Sequence, residues 1–427
     1  MADDPGRARR RRRILLIAPN TSYRISAYYQ AAKRLGIDLV VASRGEYSLV
    51  PEIAAGINVD LESPSRVVDS VLDENERRPF HAVIATDDAT VELASHVAGA
   101  LGLPHNSVAA TRTARRKDLA RRSLAAAGLP VPAFRRIDLS MALKAQVLDL
   151  SYPCVVKPLA LSASRGVIRV DNFDELKAAC RRIAPLLSDL PDEEERRFLL
   201  VEAFLPGTEV ALEGMLAAGQ LRVLAIFDKP DPLEGPYFEE TYYVTPSRLD
   251  ESLKKTVANA VEAACRAYGL RQGPVHAELR IVASTPYVLE IAARTIGGDC
   301  ARLLTFGANA SLEEIVLRQA VGEPVQIEPQ PGAAAVLMIP VPGAGVLRRV
   351  EGVIDAQRVP GIEDVVIAVR EGYEITPLPE GGSYLGFMFA RGRTPDEVEA
   401  ALRQAHAKLK FVLAPIWRLQ PGVVRSA

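Results

Sequence analysis

The chain has little cysteine and no long apolar run, and both features restrict what kind of protein it is. Its 427 residues include four cysteines, which are widely scattered and form no C-x-x-C pair. Such spacing offers neither a disulfide framework nor a zinc site, and it favours reduced thiols. No segment approaches the ~20 consecutive apolar residues of a membrane span. The sequence therefore argues against a disulfide-rich secreted protein and predicts a cytoplasmic one.

A strong excess of one charge is also missing. Lysine and arginine number 52 and aspartate and glutamate 53, for a net charge of −1, so nothing points to nucleic acid or membrane as a partner. Six arginines do cluster between Arg7 and Arg13, just before the apolar run at 14–18. That run is shorter than the core of a secretory signal, so we expect a charged leader followed by a buried strand.

The length of the chain predicts more than one domain. Residues 1–106 alternate strand and helix patterns, which predicts a small parallel sheet covered by helices, as in Rossmann-like domains. The first strand is followed by Pro19-Asn20 rather than G-x-G-x-x-G, so nicotinamide binding is not expected. Beyond residue 329, Pro-Gly turns separate short apolar strands and predict a β-rich domain. The expected fold class is a combination of α/β and α+β.

The most informative stretch is a predicted hairpin with an acid in each strand. Residues 275–282 and 287–292 read as strands joined by a turn at 283–286. If the connection has an odd number of residues, Glu278 lies opposite Glu290. Like charges ~5 Å apart are destabilising, and a divalent cation such as Mg²⁺ relieves the repulsion. The alternative is a solvated hairpin, but the apolar residues around Glu290 favour a metal site.

Strand alternation also assigns the faces of this hairpin. It places Ala277, Leu279 and Ile281 on one face of the first strand, with His276, Glu278 and Arg280 on the other. In the second strand it places Leu289 and Ile291 on one face, with Val288, Glu290 and Ala292 on the other.

Two lysines and a loop of small residues are candidate phosphate ligands. Lys157 ends an apolar strand and precedes a proline, a position from which its ammonium can be directed at a phosphate. Residues 159–166 are small and rich in hydroxyl groups, a composition that lets backbone N–H groups surround phosphate oxygens, although with a single glycine the signal is weak. Lys117 lies among arginines, where a solvated basic face is equally typical.

The segment 228–246 is rich in proline, glycine, acids and aromatics. A connection of that length is uncommon in a compact domain and favours a lid or substrate loop, with Lys229, Glu239 and Glu240 lining a substrate pocket. The alternative is a surface excursion whose aromatic residues pack on a neighbouring strand.

Taken together, these motifs resemble the ATP-grasp superfamily over essentially residues 13–427. The matching segments, in order, are Lys117-Asp118 ahead of GLPVP, Lys157 in YPCVVKP, SASRGV, VEAFLPGTEV, and HAEL followed by VLEIAARTIGG. The pattern is closest to the L-amino-acid ligase-like branch and more distantly resembles biotin carboxylase and D-alanine–D-alanine ligase. The resemblance implies a Rossmann-like domain at 1–106, a two-lobed ATP-grasp domain at 107–329 whose lobes divide near residue 200, and an L-amino-acid-ligase-like domain at 330–427.

The resemblance also implies roles for individual residues, with ATP and Mg²⁺ as cofactors. Glu278 and Glu290 are the implied metal ligands. Arg294 and His276 are the implied catalytic residues, acting on the acyl-phosphate or the acceptor carboxylate with help from the amides of Gly297 and Gly298. The implied nucleotide-binding residues are Lys117, Lys157, Ser162, Ser164, Gly166, Glu202, Phe204, Leu205 and Glu209.

The activity implied by the resemblance is ATP-dependent ligation of a small-molecule carboxylate to an amine. An acyl-phosphate forms first, ADP and phosphate are released, and joining of amino acids is one version of this reaction. Ala292 stands where relatives often carry an asparagine ligand, which leaves the number of Mg²⁺ ions open. The alternatives are a biotin-carboxylase-like carboxylase, a small-molecule kinase and a non-catalytic nucleotide-binding module. A homodimer is left open.

Overall fold

A computed structural model describes residues 12–20, 22–44, 55–307, 309–328 and 331–416. Of the predicted basic leader only Arg12 and Arg13 are among them, and the rest of the leader lies outside the described residues. The strands are β1 (Arg13–Ile17), β2 (Asp38–Ser43), β3 (Ala55–Asn58), β4 (Ala82–Ala85), β5 (Phe134–Asp138), β6 (Cys154–Pro158), β7 (Ile168–Val170), β8 (Phe198–Ala203), β9 (Thr208–Ala217), β10 (Gln220–Lys229), β11 (Tyr242–Thr245), β12 (Gly273–Val282), β13 (Thr285–Ala292), β14 (Thr305–Phe306), β15 (Ala310–Ser311), β16 (Ala333–Ile339), β17 (Gly345–Glu351), β18 (Ile362–Ile367), β19 (Glu374–Ile375), β20 (Gly386–Gly392) and β21 (Lys410–Ala414). The α-helices are α1 (Arg24–Leu35), α2 (Pro64–Arg77), α3 (Asp88–Ala100), α4 (Val108–Arg115), α5 (Lys117–Ala126), α6 (Leu143–Gln146), α7 (Phe173–Leu187), α8 (Glu193–Arg197), α9 (Glu251–Tyr268), α10 (Leu312–Ala320), α11 (Val353–Gln357) and α12 (Pro395–His406).

These elements form two compact units, each assembled from separate stretches of the chain. The first unit contains the residues up to Ile137 together with Leu200–Pro230 and Thr245–Pro331. The second contains Asp138–Leu199, Asp231–Val244 and the residues from Gly332 onward. The division into 1–106, 107–329 and 330–427 rests on the family resemblance and stays a proposal. Within the described part of the chain, no helix has both the length and the apolar character needed to cross a membrane.

The amino-terminal part of the first unit is a parallel sheet with strand order β3-β2-β1-β4. Strand β1 has the sequence RILLI and is buried along its whole length, as expected for a parallel strand covered on both faces. Apolar side chains of α2 and α3 pack on the sheet, among them Val71 and Val97. The predicted Rossmann-like arrangement is confirmed, although the short strand β3 was not predicted.

The rest of the first unit is built on an antiparallel sheet with strand order β13-β12-β9-β10. Helix α9 covers one face and buries Val257 and Val261 against Leu212 and Ala277 of the sheet. The helix begins where Asp250 accepts a hydrogen bond from the Leu253 N–H and ends at Gly269 in the left-handed conformation. This sheet carries most of the predicted site residues.

The second unit contains the antiparallel pair β6–β7 and the antiparallel strands β16, β20 and β18. Helix α12 packs on the latter group and buries Leu402 together with Leu337 and Met388. Strands β17, β19 and β21 form a smaller sheet. The predicted β-rich carboxyl-terminal region is therefore confirmed.

Candidate active site

The two acids of the β12–β13 hairpin lie opposite each other, as predicted, but for a different reason. The turn consists of the two residues Ala283 and Ser284, both in the left-handed region, and Thr285 already pairs with Val282. An even loop alone would set Glu278 opposite Leu289. A β-bulge between Glu278 and Leu279 leaves Leu289 as an extra residue, so that Glu278 pairs with Glu290. The predicted four-residue turn and the odd-loop condition were wrong.

The bulge also changes the predicted faces of β13. Val288 pairs with Leu279 and both are buried in the core beneath α9, together with Ile291. Val288 therefore shares a face with Ile291, whereas simple alternation had placed it beside Glu290. The extra residue shifts the alternation by one position, because side chains reverse direction at each residue of a regular strand.

Each acid of the pair already has a cationic neighbour. Lys117, at the start of α5, places its Nζ 3.0 Å from Glu290 Oε2. Lys229 Nζ lies 3.6 Å from Glu278 Oε2 and 2.8 Å from Glu209 Oε1. Although burial alone would raise the pKa of Glu278, the charges of Lys229 and His276 lower it. The carboxylate of Glu278 is therefore set for the ionised form, which is the form that binds a divalent cation.

The sequence predicted that Lys229 lies in a substrate loop, but the structure places it in a strand. It is the last residue of β10, pairs with Glu209 of β9 in the sheet register, and is 4 % exposed. The apolar residues 223–227 (VLAIF) lead directly into Asp228 and Lys229, so strand β10 continues through Lys229. It ends before Pro230, which has no N–H to donate to a neighbouring strand. Lys229 therefore belongs to the charged cluster beside Glu278.

His276 is held between two carboxylates. Its Nδ1 lies 3.1 Å from Glu213 Oε2 and its Nε2 lies 3.5 Å from Glu278 Oε1. Burial alone would lower the pKa of His276, but the hydrogen bonds with the two glutamates outweigh it and raise the pKa to about 9. His276 is therefore cationic at neutral pH and is suited to hold a negative charge rather than to accept a proton.

Glu213 was not among the predicted site residues. It is fully buried in β9 and also accepts a hydrogen bond from the backbone N–H of Ile296. Its sequence signal is an acid in the middle of the otherwise apolar strand TEVALEGMLA, the same signal that identified Glu290. Through Ile296, Glu213 connects His276 to the segment that carries Arg294.

Arg294 is largely buried and pairs with an acid from a distant part of the sequence. Its Nη2 lies 2.6 Å from Oδ2 of Asp88, and its Nη1 donates to the carbonyl of Thr295 at 2.9 Å. Burial would raise the pKa of Asp88, but Arg294 lowers it. Asp88 begins α3 directly after β4, at the carboxyl end of a parallel strand, where α/β sheets bind ligands. We did not predict a role for Asp88.

The Gly297-Gly298 turn packs against Arg24 of α1. Arg24 donates from Nη2 to the carbonyl of Ile296 at 3.1 Å and from Nη1 to that of Thr86 at 2.8 Å. A side chain on Gly297 would place its Cβ 3.3 Å from the same Nη2 atom, and Gly298 has a φ of 61°. The bare backbone therefore admits a close approach of the guanidinium, and Arg24 is a further cation near the predicted anion site.

The carboxylate of Glu202 has a structural partner. It is 2 % exposed and its Oε1 lies 2.6 Å from Nε of Arg121, which is itself fully buried. Arg121 also donates to the carbonyls of Val288 and Leu289 at 3.2 and 2.9 Å, that is, to the bulged residue and the residue before it. The carboxylate of Glu202 is thus engaged with Arg121, and its implied role in holding adenine stays a prediction.

Arg280 connects the remaining residues predicted to hold the nucleotide. Its guanidinium lies 5.4 Å from the centroid of the Phe204 ring and donates to the carbonyl of Leu205 at 2.8 Å. Its Nη2 also lies 3.3 Å from Glu209 Oε2. Arg280 follows Glu278 by two residues, so the strand period places both on the same face. The structure therefore brings Phe204, Leu205 and Glu209 together around one cation.

The predicted phosphate ligands of the second unit lie on β6 and the loop that follows it. Lys157 is half-buried near the end of β6. In the loop, Ala163, Ser164 and Gly166 adopt φ values of 54°, 53° and 69°. Ser162 accepts a hydrogen bond from the Arg165 N–H through its carbonyl oxygen, and Val167 donates in the same way to Ser164. The loop is a compact turn with two consecutive left-handed residues.

The predicted substrate loop is shorter than the sequence suggested, because Asp228 and Lys229 end β10 and residues 242–245 form β11. Tyr242 and Tyr243 are buried, as in the alternative in which the aromatics pack on a neighbouring strand. Glu239 accepts a hydrogen bond from the Val341 N–H at 3.2 Å, and Glu240 accepts one from the Tyr243 hydroxyl at 2.9 Å. Both acids therefore have partners within the second unit, and their role toward a substrate stays a prediction.

Three family models match successive parts of the chain. An ATP-grasp amino-terminal domain matches residues 29–105, an ATP-grasp domain matches residues 150–302, and the L-amino acid ligase carboxyl-terminal domain 2 matches residues 337–414. The order of the three is the order in which the sequence motifs occur.

The chain is also similar to individual proteins and to solved structures. The chain is 27 % identical to the crystal structure of an L-amino acid ligase from Bacillus licheniformis, with a TM-score of 0.82, covering 95 % of this chain and 99 % of that one. It is 26 % identical over 285 residues to alanine–anticapsin ligase of Bacillus subtilis, covering 59 % of this chain and 60 % of that protein. It is 24 % identical over 412 residues to the uncharacterized protein y4rH of Sinorhizobium fredii, covering 95 % of this chain and 84 % of that protein.

Proposed function

The chain belongs to the ATP-grasp superfamily, as an ATP-dependent ligase that forms C–N bonds, and from this premise we propose that it joins two amino acids. The carboxylate of one is activated by phosphate transfer from ATP, and the amine of the other displaces that phosphate. The products are ADP, phosphate and an amide. The carboxyl-terminal match to the L-amino acid ligase domain and the similarity to ligases of alanine and other amino acids support this choice of substrates.

The proposal fits the charges around the hairpin. A carboxylate is a poor electrophile, and both its phosphorylation and the later displacement build negative charge on oxygen. Fixed cations in a water-excluding site stabilise such charge in the transition state. In this chain Arg294 and the protonated His276 are the cations predicted to act on the acceptor, and Lys117 and Lys229 lie beside the two acids. No nucleophilic serine or cysteine is required.

The donor set of the hairpin fits Mg²⁺. Glu278 and Glu290 present hard carboxylate oxygens from directly paired positions, and the apposition of two such acids is stabilised by a divalent cation. These two residues would hold the ion, which when bound neutralises the phosphate oxygens of the nucleotide. Ala292 supplies no ligand.

The observation that carries the proposal is the pairing of Glu278 with Glu290 beside Lys117, Lys229 and His276. It is tested by incubating the protein with MgATP and a panel of amino acids, alone and in pairs, and by measuring ADP and phosphate. We expect release that depends on two amino acids, with an equimolar dipeptide found by mass spectrometry. Release with bicarbonate but without an amine would instead identify a carboxylase, and phosphate transfer to a single acceptor a kinase. No ADP under any condition would contradict catalysis.

Replacing Lys157 by methionine is expected to raise the apparent KM for ATP by about tenfold or more. A lysine that contacts a phosphate acts as a point charge, and a charge-assisted hydrogen bond contributes ~1.5–3 kcal/mol. Methionine is unbranched and only one atom shorter than lysine, so the melting temperature should change little. Lys177→Met on the exposed face of α7 is the matched control. Unchanged kinetics in Lys157→Met would show that this lysine does not bind the nucleotide.

ATP as a substrate and four buried, free cysteines agree with the cytoplasmic location expected from the sequence. That location and a homodimeric state are parts of the proposal.

A further inference from the structure

The loop 162–166 is held in place by a second segment of the same unit, residues 377–382. The Gly166 N–H donates to the carbonyl of Pro379 at 2.9 Å, and Arg165 donates from Nε to the carbonyl of Glu380 at 3.3 Å. A Cβ on Gly382 would lie 2.6 Å from Arg165 Cδ, so the backbone of Gly382 touches the arginine side chain directly. We call residues 377–382 the clamp segment.

The loop needs such support because of its backbone. Ala163 and Ser164 both lie in the left-handed region, which residues with a Cβ rarely adopt and which persists only where surrounding structure holds it. Gly166 is also fixed from the other side, since a Cβ there would come 2.7 Å from Pro158 Cγ. Glycines would adopt this backbone conformation without strain, but this loop has only one. Contacts from the carboxyl-terminal part of the chain therefore hold the other residues in the conformation.

The clamp segment is itself anchored. The carboxylate of Glu380 forms a two-point ion pair with Arg182 of α7, in which Nη2 lies 2.9 Å from Oε2. Arg182 also contacts the hydroxyl and the ring of Tyr237, so one arginine joins the clamp segment to the loop that ends at β11. The Gly381 N–H donates to the carbonyl of Pro377 at 2.9 Å, which closes the turn of the clamp segment on itself.

We propose that the clamp segment positions the loop 162–166 to receive the phosphates of ATP, with Gly382 and Glu380 as positioning residues that do not touch the nucleotide. The inference rests on the proposed function, because it assumes that this loop binds phosphates. A phosphate loop that is ordered before ATP binds loses less conformational entropy on binding than a mobile loop does. The contacts between the clamp segment and the loop therefore increase the affinity for ATP.

Gly382→Ala tests this directly. The backbone of Gly382 lies outside the left-handed region, so alanine introduces no backbone strain. Its methyl group acts through close contact with Arg165, and it also lies 3.5 Å from Ala163 Cβ of the same loop. We expect the dissociation constant of a non-hydrolysable MgATP analogue and the KM for ATP to rise about five- to tenfold, as for overpacking of a tight contact. The KM for the amino acids and kcat should change less than about twofold.

The matched control is Gly343→Ala in the same unit. Gly343 also lies outside the left-handed region, and a Cβ there meets no atom within 4 Å. This variant should bind the analogue like the wild type. Hydrogen–deuterium exchange gives a second readout: the amide of Gly166 should exchange faster in Gly382→Ala and not in Gly343→Ala, since its partner is the carbonyl of Pro379.

The outcomes separate this inference from the proposed function. Wild-type protein that does not bind the analogue would overturn both. Wild-type binding that Gly382→Ala leaves unchanged, with unchanged exchange at Gly166, would overturn only the role of the clamp segment. If Gly382→Ala also lowers the melting temperature, Glu380→Ala provides the second variant, because its partner Arg182 lies at the surface with 44 % of its side chain exposed. A rise in the KM for ATP that Glu380→Asp partly reverses supports positioning, and no rise overturns it.

Discussion

The variant Glu290→Gln is expected to lose ADP formation by a factor of about 10³ or more while keeping its fold. Loss of one group that stabilises developing charge costs about 10²–10³ in kcat, and a group that also holds the metal costs more. Glutamine keeps the volume and can still accept a hydrogen bond from Lys117, which lies 3.0 Å from Glu290 Oε2. The melting temperature should therefore stay within a few degrees of the wild-type value. The measurement is ADP release at saturating MgATP and amino acids.

The control for Glu290→Gln is Glu251→Gln, which removes an acid from an exposed position at the start of α9. That variant should react at the wild-type rate. Raising the Mg²⁺ concentration should restore part of the activity of Glu290→Gln if the glutamate binds the ion. Activity within about tenfold of the wild type, at any Mg²⁺ concentration, would mean that Glu290 serves only as the partner of Lys117.

Arg294→Ala is expected to lower kcat/KM by about 10²–10³. The largely buried guanidinium is proposed to contact the acyl-phosphate or a substrate carboxylate, and a water molecule in its place would stabilise that negative charge far less. The same change leaves Asp88 without the partner that lowers its pKa, since burial raises that pKa. An unpaired acid of this kind costs about 1–3 kcal/mol of stability. Because the folded-state pKa of Asp88 is lowered by Arg294, the pair stabilises the wild type at neutral pH and loses this contribution as the pH falls through that pKa.

A double variant separates the two effects of Arg294. Arg294→Ala combined with Asp88→Asn removes the unpaired charge and should recover most of the melting temperature at pH 7. Its activity should stay as low as that of Arg294→Ala, because the missing cation is not replaced. Recovery of activity together with stability would show that Arg294 acts only by neutralising Asp88, and the proposed contact with the substrate would then be dropped.

The hairpin shows both what local patterns predict and where they fail. Alternation in β12 was correctly predicted, and Glu278 and Glu290 are opposite each other. The bulge at Leu289 could not be predicted, because a bulge inserts one residue into a strand without leaving a mark in its composition. A predicted turn at 283–286 failed for the related reason that Thr285 and Pro286 are compatible with an edge strand.

The partners of the site residues were less predictable than the site residues themselves. Asp88 and Arg294 are separated by 206 positions in the chain. The sequence around either residue does not predict the other as its partner, because their contact depends on where the ends of two sheets lie. The same holds for Arg121, which from the sequence is one of several arginines in a basic helical region, and for Lys229, whose assignment depended on where β10 ended. Burial distinguishes Arg121 and Lys229 from basic residues on a solvated face, and burial is known only from the fold.

The bulge at Leu289 bears on how this chain should be aligned with others. A chain with one residue fewer here, and with the same two-residue turn, would pair its acids in regular register, because the bulge compensates for a single extra position. A one-residue gap at Leu289 in an alignment therefore leaves both acids in place, and positions from Glu290 onward should be matched across the gap instead of being shifted. What a shortened strand would lose is the local backbone geometry that presents two carbonyls to Arg121. Insertions and deletions at this position thus change how the backbone near the site is held, whereas substitutions of the acids change the chemistry of the site.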